Sequence, residues 1–346
     1  MMEDFVTRYH AILCPDVPDF LTQYASLDLM RRLGGVGLLC GTDWSPLFAN
    51  RFFYSRLDHS IGTALITWRF THDKVQTIAA LLHDVSTPAF SHVVDFKNHD
   101  ALTQSSTEQQ TSSFIEHDES LLALLEEDGI APGAVSHPKR YPVVDCEIPR
   151  LSADRLEYMY PSAAALTSLW SIDEIAQNYE AIRLLTGEDG TSELGFTDVD
   201  QAELYTVRFA HVGHLLQQGE DKLAMQLLAD VLSEAERIGL LTEGELYRQS
   251  EEALIAHFAR FAQGHPSSHF ATLFRTFRGT SKITRSTHPV EGYYCVSVDA
   301  KRRYVDPLVE TAGGIRRTSS VCPAARRAIE ELLRYEDAPV ACAKWL

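Results

Sequence analysis

The sequence is predicted to be a mainly α-helical chain, a helical bundle followed by a small C-terminal α/β appendage. Apolar residues recur at helical spacing over most of the first 264 positions. After about residue 264 the pattern changes to short runs rich in Tyr and Val. The chain has 346 residues, 45% of them hydrophobic and 10% aromatic, which excludes a disordered chain and leaves ample material for a core. The expected division is a helical core over 1–265 and a basic α/β segment over 266–346 packed on it.

Leu57, Ile61, Ala64, Leu65 and Trp68 form the apolar face of a helix over 57–68, and Val75, Ile78, Ala79 and Leu82 that of a second over 75–82. Residues 114–126 and 222–262 carry longer helical patterns rich in Leu, Ala and Glu. Residues 97–113 and 128–142 read as loops, the latter broken by Gly129, Pro132, Gly133, Pro138 and Pro142. The acidic, glycine-containing stretch 187–201 reads as a third loop. Phe270, Phe274 and Phe277 have core spacing. Segments 292–298 and 303–309 read as strands. The pair His211 and His214 has no Cys or carboxylate companion and reads as helix surface or core. No internal repeat, phosphate-binding P-loop or dinucleotide fingerprint occurs.

The formal charge is −17, from 31 Lys and Arg against 48 Asp and Glu. Such a balance argues against non-specific binding to nucleic acid or a membrane surface. No apolar run approaches the roughly 20 residues of a membrane helix. The opening MMEDFVTRYHAILCP has no apolar signal stretch. The six cysteines (14, 40, 146, 295, 322 and 342) form no CxxC pair. Together these lead to the expectation of a cytoplasmic protein with reduced thiols. Residues 271–317 go against the overall charge, with nine Arg and Lys against four acids. That stretch reads either as a solvated face or as an anion site suited to phosphate.

Three segments carry the chemistry: Arg56 to Ser60, Leu81 to Asp84, and Ser152 to Arg155. Histidine and carboxylate side chains together suit a divalent metal of intermediate hardness. The adjacent His83-Asp84 pair ends an apolar helix, where neither residue helps a core, and a buried Asp84 needs a cation or several donors. Gly62 lies one turn beyond His59 on the same side and permits close helix approach. Tyr158 falls one turn after Asp154 on the same face.

These segments resemble, in order, the motif blocks of the HD-domain metal-dependent phosphohydrolases. The matching residues are Arg56 to Gly62, then Ala80 to Asp84, then Pro88 to Asp95, and Ser152 to Tyr158. The look is closest to the branch containing the deoxynucleoside triphosphate triphosphohydrolases. The resemblance covers residues 25–165 well and the rest loosely. It implies an HD-domain helical core in which His59, His83, Asp84 and Asp154 bind one divalent transition metal (Mn, Fe, Co, Ni or Zn, with Mg also admitted). It implies phosphate and sugar contacts by Arg56, Arg155 and Tyr158, and places His92 and Asp95 in the pocket. Arg56 and Arg155 can also be read as structural ion pairs, His92 as a capping or core residue, and Tyr158 as packing.

The implied activity is hydrolysis of a phosphate ester or anhydride of a nucleotide or related small molecule, with metal-activated water as nucleophile. The catalytic candidates are Asp84, His92, Asp95 and Glu108. One departure bears on them. The triphosphohydrolase branch has a histidine where this chain has Thr87, and a His-Glu pair where it has Thr107-Glu108. Threonine is no acid or base at neutral pH. The proton-transfer role therefore falls to His92, Glu108 or a loop histidine such as His99 or His117. Two other readings stand beside the hydrolase. One is a non-catalytic metal- or nucleotide-binding sensor on the same fold. The other is a di-iron HD-type oxygenase, which needs two more histidine ligands between Asp84 and Asp154. The partner expected is a small phosphorylated substrate, with no membrane and no nucleic acid, and the long 222–262 helices are compatible with a homo-oligomer.

Overall fold

Helices joined by short turns make up most of the chain in the computed structural model, which describes residues 2–104 and 110–346. The N-terminal part holds α1 (Met2–Leu13), α2 (Asp19–Ala25), α3 (Asp28–Arg31), α4 (Arg56–Thr71), α5 (Lys74–Leu81) and α6 (Val93–Lys97). Next come α7 (Thr111–His117), α8 (Glu119–Glu127), α9 (Pro132–Val135), α10 (Ala153–Leu166) and α11 (Ile172–Glu180). A hairpin of β1 (Ile182–Thr186) and β2 (Ser192–Phe196) precedes α12 (Val199–Leu215), α13 (Gly219–Arg237), α14 (Glu243–Leu246), α15 (Glu251–Gly264) and α16 (His269–Gly279). The remainder is β3 (Thr284–Ser286), β4 (Tyr293–Val296), β5 (Leu308–Thr311), β6 (Gly314–Arg317), α17 (Thr318–Val321), α18 (Pro323–Arg334) and β7 (Val340–Lys344).

Side-chain caps fix where the site-bearing helices begin. Ser55 and Asp58 form a reciprocal capping box at α4. Asp73 accepts from the Val75 and Gln76 amides at α5, and Ser152 accepts from the Arg155 amide at α10. Each such cap contributes about 1 kcal/mol. Helix α4 runs through the centre of the bundle, packed by α1, α5 and α10. Its buried Thr63 and Thr67 hydroxyls donate to the His59 and Thr63 carbonyls, both at 2.9 Å, so they enter the core already bonded. One apolar cluster surrounds these helices; a second is built on α13, α15 and α16.

Mainly α is the observed class, with two small sheets. One has the order β1-β2-β5-β6, with β2 and β5 parallel and the outer pairs antiparallel. The other is β3-β7-β4, antiparallel about β7. The first sheet joins a hairpin from the middle of the chain to strands near its end, pairing Gly195 with Leu308 and Phe196 with Val309.

Several local expectations are corrected. Residues 187–201, read as a loop, contain β2 and the start of α12; the buried Leu194 and Phe196 supply the strand's inward face. The helical pattern over 114–126 is split at Asp118, which caps α8 by accepting from the Leu121 amide at 2.8 Å. The stretch 128–142 holds the short α9 and a 3₁₀ turn. The strand expected over 303–309 starts only at Leu308, and 303–307 is irregular. Cys295 and Cys342, expected as free thiols, face each other across β4 and β7 and are joined as a disulfide. The other four cysteines are free.

Gly195 keeps the central sheet closed. A Cβ there would meet the Leu308 carbonyl oxygen at 2.6 Å and Leu185 Cδ1 at 2.8 Å. Gly195→Ala is expected to lower stability by about 1–3 kcal/mol through overpacking, read as a lower urea midpoint at unchanged slope. An unchanged midpoint would mean that the β2–β5 junction contributes nothing to folding.

Candidate metal centre

The cap at Ser55 puts Arg56 in the first turn of α4 and His59 one turn along, facing inward. Helix α5 ends at Leu81, and the following turn presents His83 and Asp84. The Ser152 cap places Asp154, Arg155, Glu157 and Tyr158 in the first turns of α10. These three chain segments meet at one point. His59 Nε2 lies 3.1 Å from His83 Nε2, 3.2 Å from Asp154 Oδ1 and 3.7 Å from Asp84 Oδ2. His83 Nε2 lies 3.6 Å from Asp84 Oδ2 and 3.7 Å from Asp154 Oδ1.

The outer partners decide what these atoms can do. His83 Nδ1 is 2.7 Å from the Ala80 carbonyl, and His59 Nδ1 hydrogen-bonds the fully buried Glu157 carboxylate. Both partners accept, so each Nδ1 carries the proton and each neutral ring turns an Nε2 lone pair to the centre. Two lone pairs and two carboxylates therefore converge, and a cation reconciles them. Two imidazole nitrogens with carboxylate oxygens suit a divalent ion of the Mn-to-Zn range. His59 Nε2, His83 Nε2 and Asp154 Oδ1 all lie within 4.8 Å of one another. Asp84 borders this trio, and is also engaged by Arg56 Nη1 at 2.6 Å and the Thr87 hydroxyl at 3.2 Å.

Without a metal, a proton takes part of that role. Burial disfavours the imidazolium of His59, but Glu157, Asp154 and Asp84 outweigh it and push its pKa up to about 10. Burial would raise Asp84 and Asp154. Arg56 and the two imidazoles hold Asp84 well below the usual carboxylate range, and His59, His83 and Arg155 do the same for Asp154.

Gly62 permits this arrangement. A Cβ there would sit 2.5 Å from Glu157 Oε1. Its absence lets the Glu157 carboxylate reach across to His59 while accepting from the Tyr54 hydroxyl at 2.6 Å. A buried carboxylate is tolerated here because both oxygens are engaged.

The cluster lies in the wall of a cavity of about 590 Å³. Arg56, His92, Arg155 and Tyr158 line it, together with Lys139 and the Ala300–Arg303 stretch of the basic C-terminal segment. His92 Nδ1 is held at 2.8 Å by the fully buried Asp95, which lies behind it. Burial, with Arg303 and Arg56, lowers the His92 pKa against the pull of Asp95. Arg155 is 3.6 Å from Asp145, whose carboxyl is pushed up to about 6 by burial and by Asp154. His137 lines the cavity, whereas His99 and His117 are not among its lining residues. Glu108 and Thr107 lie outside the described residues.

Another buried carboxylate holds the turn that precedes α6. Glu251 accepts from the Gly37 and Phe90 amides, both at 2.9 Å, and from Trp44 Nε1 at 2.7 Å. Burial outweighs these donors and pushes its pKa up to about 7. It pins Phe90, which with Ser91 holds a left-handed backbone at φ 66° and 51°. Two successive non-glycine residues in that region are strained and persist only where surroundings fix them. The turn sets the Ser91 hydroxyl 3.1 Å from Arg56 Nε and starts α6 at the residue after His92.

Sequence reasoning assigned no role to Glu157, Glu251, Asp145 or Gln104. The position of Glu157, three residues after Asp154 on the same helix, was a usable signal. Glu251 gave none, because its partners are three backbone or indole N–H groups distant in sequence.

No family model matches the chain. Its resemblance to metal-dependent phosphohydrolases agrees with the name of one relative. It is 26% identical over 196 residues to the metal-dependent phosphohydrolase cns2 of Cordyceps militaris, covering 50% of this chain and 56% of that protein. It is 33% identical over 128 residues to the uncharacterized protein YdhJ of Bacillus subtilis, 36% of each chain. The matches thus span about a third to a half of these relatives' length. The crystal structure of a phosphohydrolase from Bacteroides thetaiotaomicron superposes with a TM-score of 0.65 at 13% identity, covering 96% of this chain and 97% of that one. A hypothetical protein from Aquifex aeolicus gives 0.60 at 14% identity over 95% and 93%. These two likenesses show a shared fold.

Two outcomes are expected of the metal centre. Glu157→Gln should weaken metal binding by roughly 10–100-fold, measured by titration against a chelator; unchanged affinity would mean that Glu157 does not orient His59. The second concerns pH. The metal-free folded protein holds a proton on His59 up to about 10, against 6.5 for an ordinary histidine. This contribution to stability is complete below about 6.5 and is lost as pH rises toward about 10. Urea midpoints in chelator should fall across that window, with a smaller fall in His59→Gln.

Proposed function

We propose that the chain is an HD-type metal-dependent phosphohydrolase acting on a phosphate ester or anhydride of a nucleotide or related small molecule. The observation that carries this reading is the convergence of two imidazole lone pairs and two carboxylates in the wall of a cavity that six Lys and Arg side chains also line. The name of the Cordyceps relative agrees with it. A divalent metal held by His59, His83, Asp84 and Asp154 would supply a water of lowered pKa and polarise the phosphoryl group.

The chain's own residues do the rest. Arg56, tied to Asp84 and Ser91, presents a fixed positive charge at the cavity wall. Arg155, Lys139 and Arg303 add charge along the same cavity, where it offsets negative charge developing on the phosphoryl oxygens. Asp95 fixes the proton of His92 on Nδ1, so that Nε2 is the atom left to accept a proton from a nucleophile and return it to a leaving group. Its lowered pKa keeps it neutral, and hence proton-accepting, at pH 7. Tyr158, its hydroxyl pushed up to about 12 by burial, remains a neutral hydrogen-bonding group for a sugar.

Thr87 favours one competing reading. Its hydroxyl is bonded to Asp84, and it has no acid–base capacity to lend. A binding protein that keeps the metal without turnover would look the same at that position. Elemental analysis followed by phosphate release from nucleoside mono- and triphosphates, with Mn, Co, Ni or Mg supplied, separates the two. Near one metal equivalent with release is the expected result, and His83→Ala and Asp84→Ala should lose metal and release together. Metal without release across the panel would favour the binding protein, and release by a metal-free variant would sink the proposed mechanism.

A further inference from the structure

Glu251 is fully buried at the start of α15, and among the described residues no Lys, Arg or His pairs with its carboxylate. A buried charge without a counter-ion is costly, so its placement calls for a role. A single oxygen, Oε1, accepts both the Gly37 and the Phe90 amides at 2.9 Å. These two segments hold one hydroxyl between them. Ser91, next to Phe90, donates to the Gly37 carbonyl at 3.1 Å and accepts from Arg56 Nε at 3.1 Å. Arg56 in turn donates to Asp84 at 2.6 Å and lines the cavity. The Glu251 carboxylate, the Gly37 peptide, the Ser91 hydroxyl and the Arg56 guanidinium thus form one continuous chain. A purely structural clamp would end in the core, whereas this one ends on a guanidinium at the cavity wall.

We infer that Glu251 is a positioning residue for the hydrolysis, that it sets Arg56 through Gly37 and Ser91, and that it does so in its charged form. This rests on the phosphohydrolase reading above and adds a control on the same site. Charge-assisted hydrogen bonds are roughly twice as strong as neutral ones. In the neutral acid the grip of Oε1 on the two amides therefore weakens, and Oε2 carries a proton. Asp43 Oδ2 offers that proton an acceptor: it is buried with no hydrogen-bond partner among the described residues. It and Glu251 Oε2 lie 3.1 and 3.3 Å from the place a Cβ of residue 37 would take. Asp43 is the titratable group that faces Glu251. The other neighbours are the two amides and the Trp44 indole, over which the Arg278 guanidinium of α16 lies at 5.9 Å. Burial outweighs the three donors and pushes the Glu251 pKa up to about 7, so the change of charge falls within the range of an assay.

The test follows the nucleotide that the metal-loaded full chain cleaves fastest in the panel above. Glu251→Gln keeps the shape of the side chain and removes its charge. Its metal content should match wild type and its KM stay within about threefold, while kcat at about pH 8 falls roughly tenfold to a hundredfold, the scale of a reacting group displaced by about 1 Å. The ratio of wild-type to variant kcat should narrow as pH drops below about 7, because protonation there takes the same charge from wild type. Trp44→Phe removes a donor that favours the carboxylate, and should move the acid limb of its own profile to higher pH. Ser91→Ala breaks the chain further along. Joined with Glu251→Gln it should be no slower than the slower single variant, since both act on Arg56 by one path. An unchanged kcat in Glu251→Gln, a ratio constant with pH, loss of metal along with activity, or effects that multiply in the double variant would overturn this inference alone. No release by wild type from any nucleotide would overturn it together with the nucleotide reading.

Discussion

A single buried carboxylate sets the frame of the candidate site. Glu157 is sealed between α4 and α10, where it receives the Tyr54 hydroxyl and the Nδ1 proton of His59. That bond selects the tautomer that turns the other nitrogen toward His83 and Asp154. It is possible only because position 62 carries no side chain, since any Cβ would occupy the carboxylate's place. The approach of two helices, the protonation of one imidazole and the affinity for a cation are thus a single constraint.

The cavity beside this frame is assembled from distant parts of the chain. α4 and α5 supply the acceptor cluster with α10, while residues 300–303 bring in positive charge from a segment that pairs into the sheets on either side. The charge distribution has the same logic. A chain of net charge −17 brings six Lys and Arg side chains to this cavity, beside five acids.

Much of this was legible because the informative residues are local in sequence. Arg56 and His59 share the first turns of one helix, His83 and Asp84 are adjacent, and Asp154 to Tyr158 span a single turn. Gly62 could be read as a close-approach position from its offset to His59. The hairpin at 182–196 was not legible, since its strand character depends on a parallel partner at 308–309 and the acidic, glycine-containing turn dominates the local pattern. The disulfide was hidden for the same reason: Cys295 and Cys342 become neighbours only through the β4–β7 register. The role of Glu251 is likewise tertiary, a carboxylate surrounded by amide donors from two turns and an indole.

The β2–β5 pairing also sets a temporal order on the molecule. Helical contacts among α1, α4, α5 and α10 involve the first half of the chain and can form while the remainder is still being synthesised. The strand that receives Gly195 and Phe196 emerges much later, and closing so long a loop is entropically slow. The acceptor cluster can therefore assemble before the cationic wall reaches it. A nascent chain would pass through a stage able to capture a metal ion but lacking the Ala300–Arg303 wall of its cavity, and metal capture at that stage would favour the half already folded.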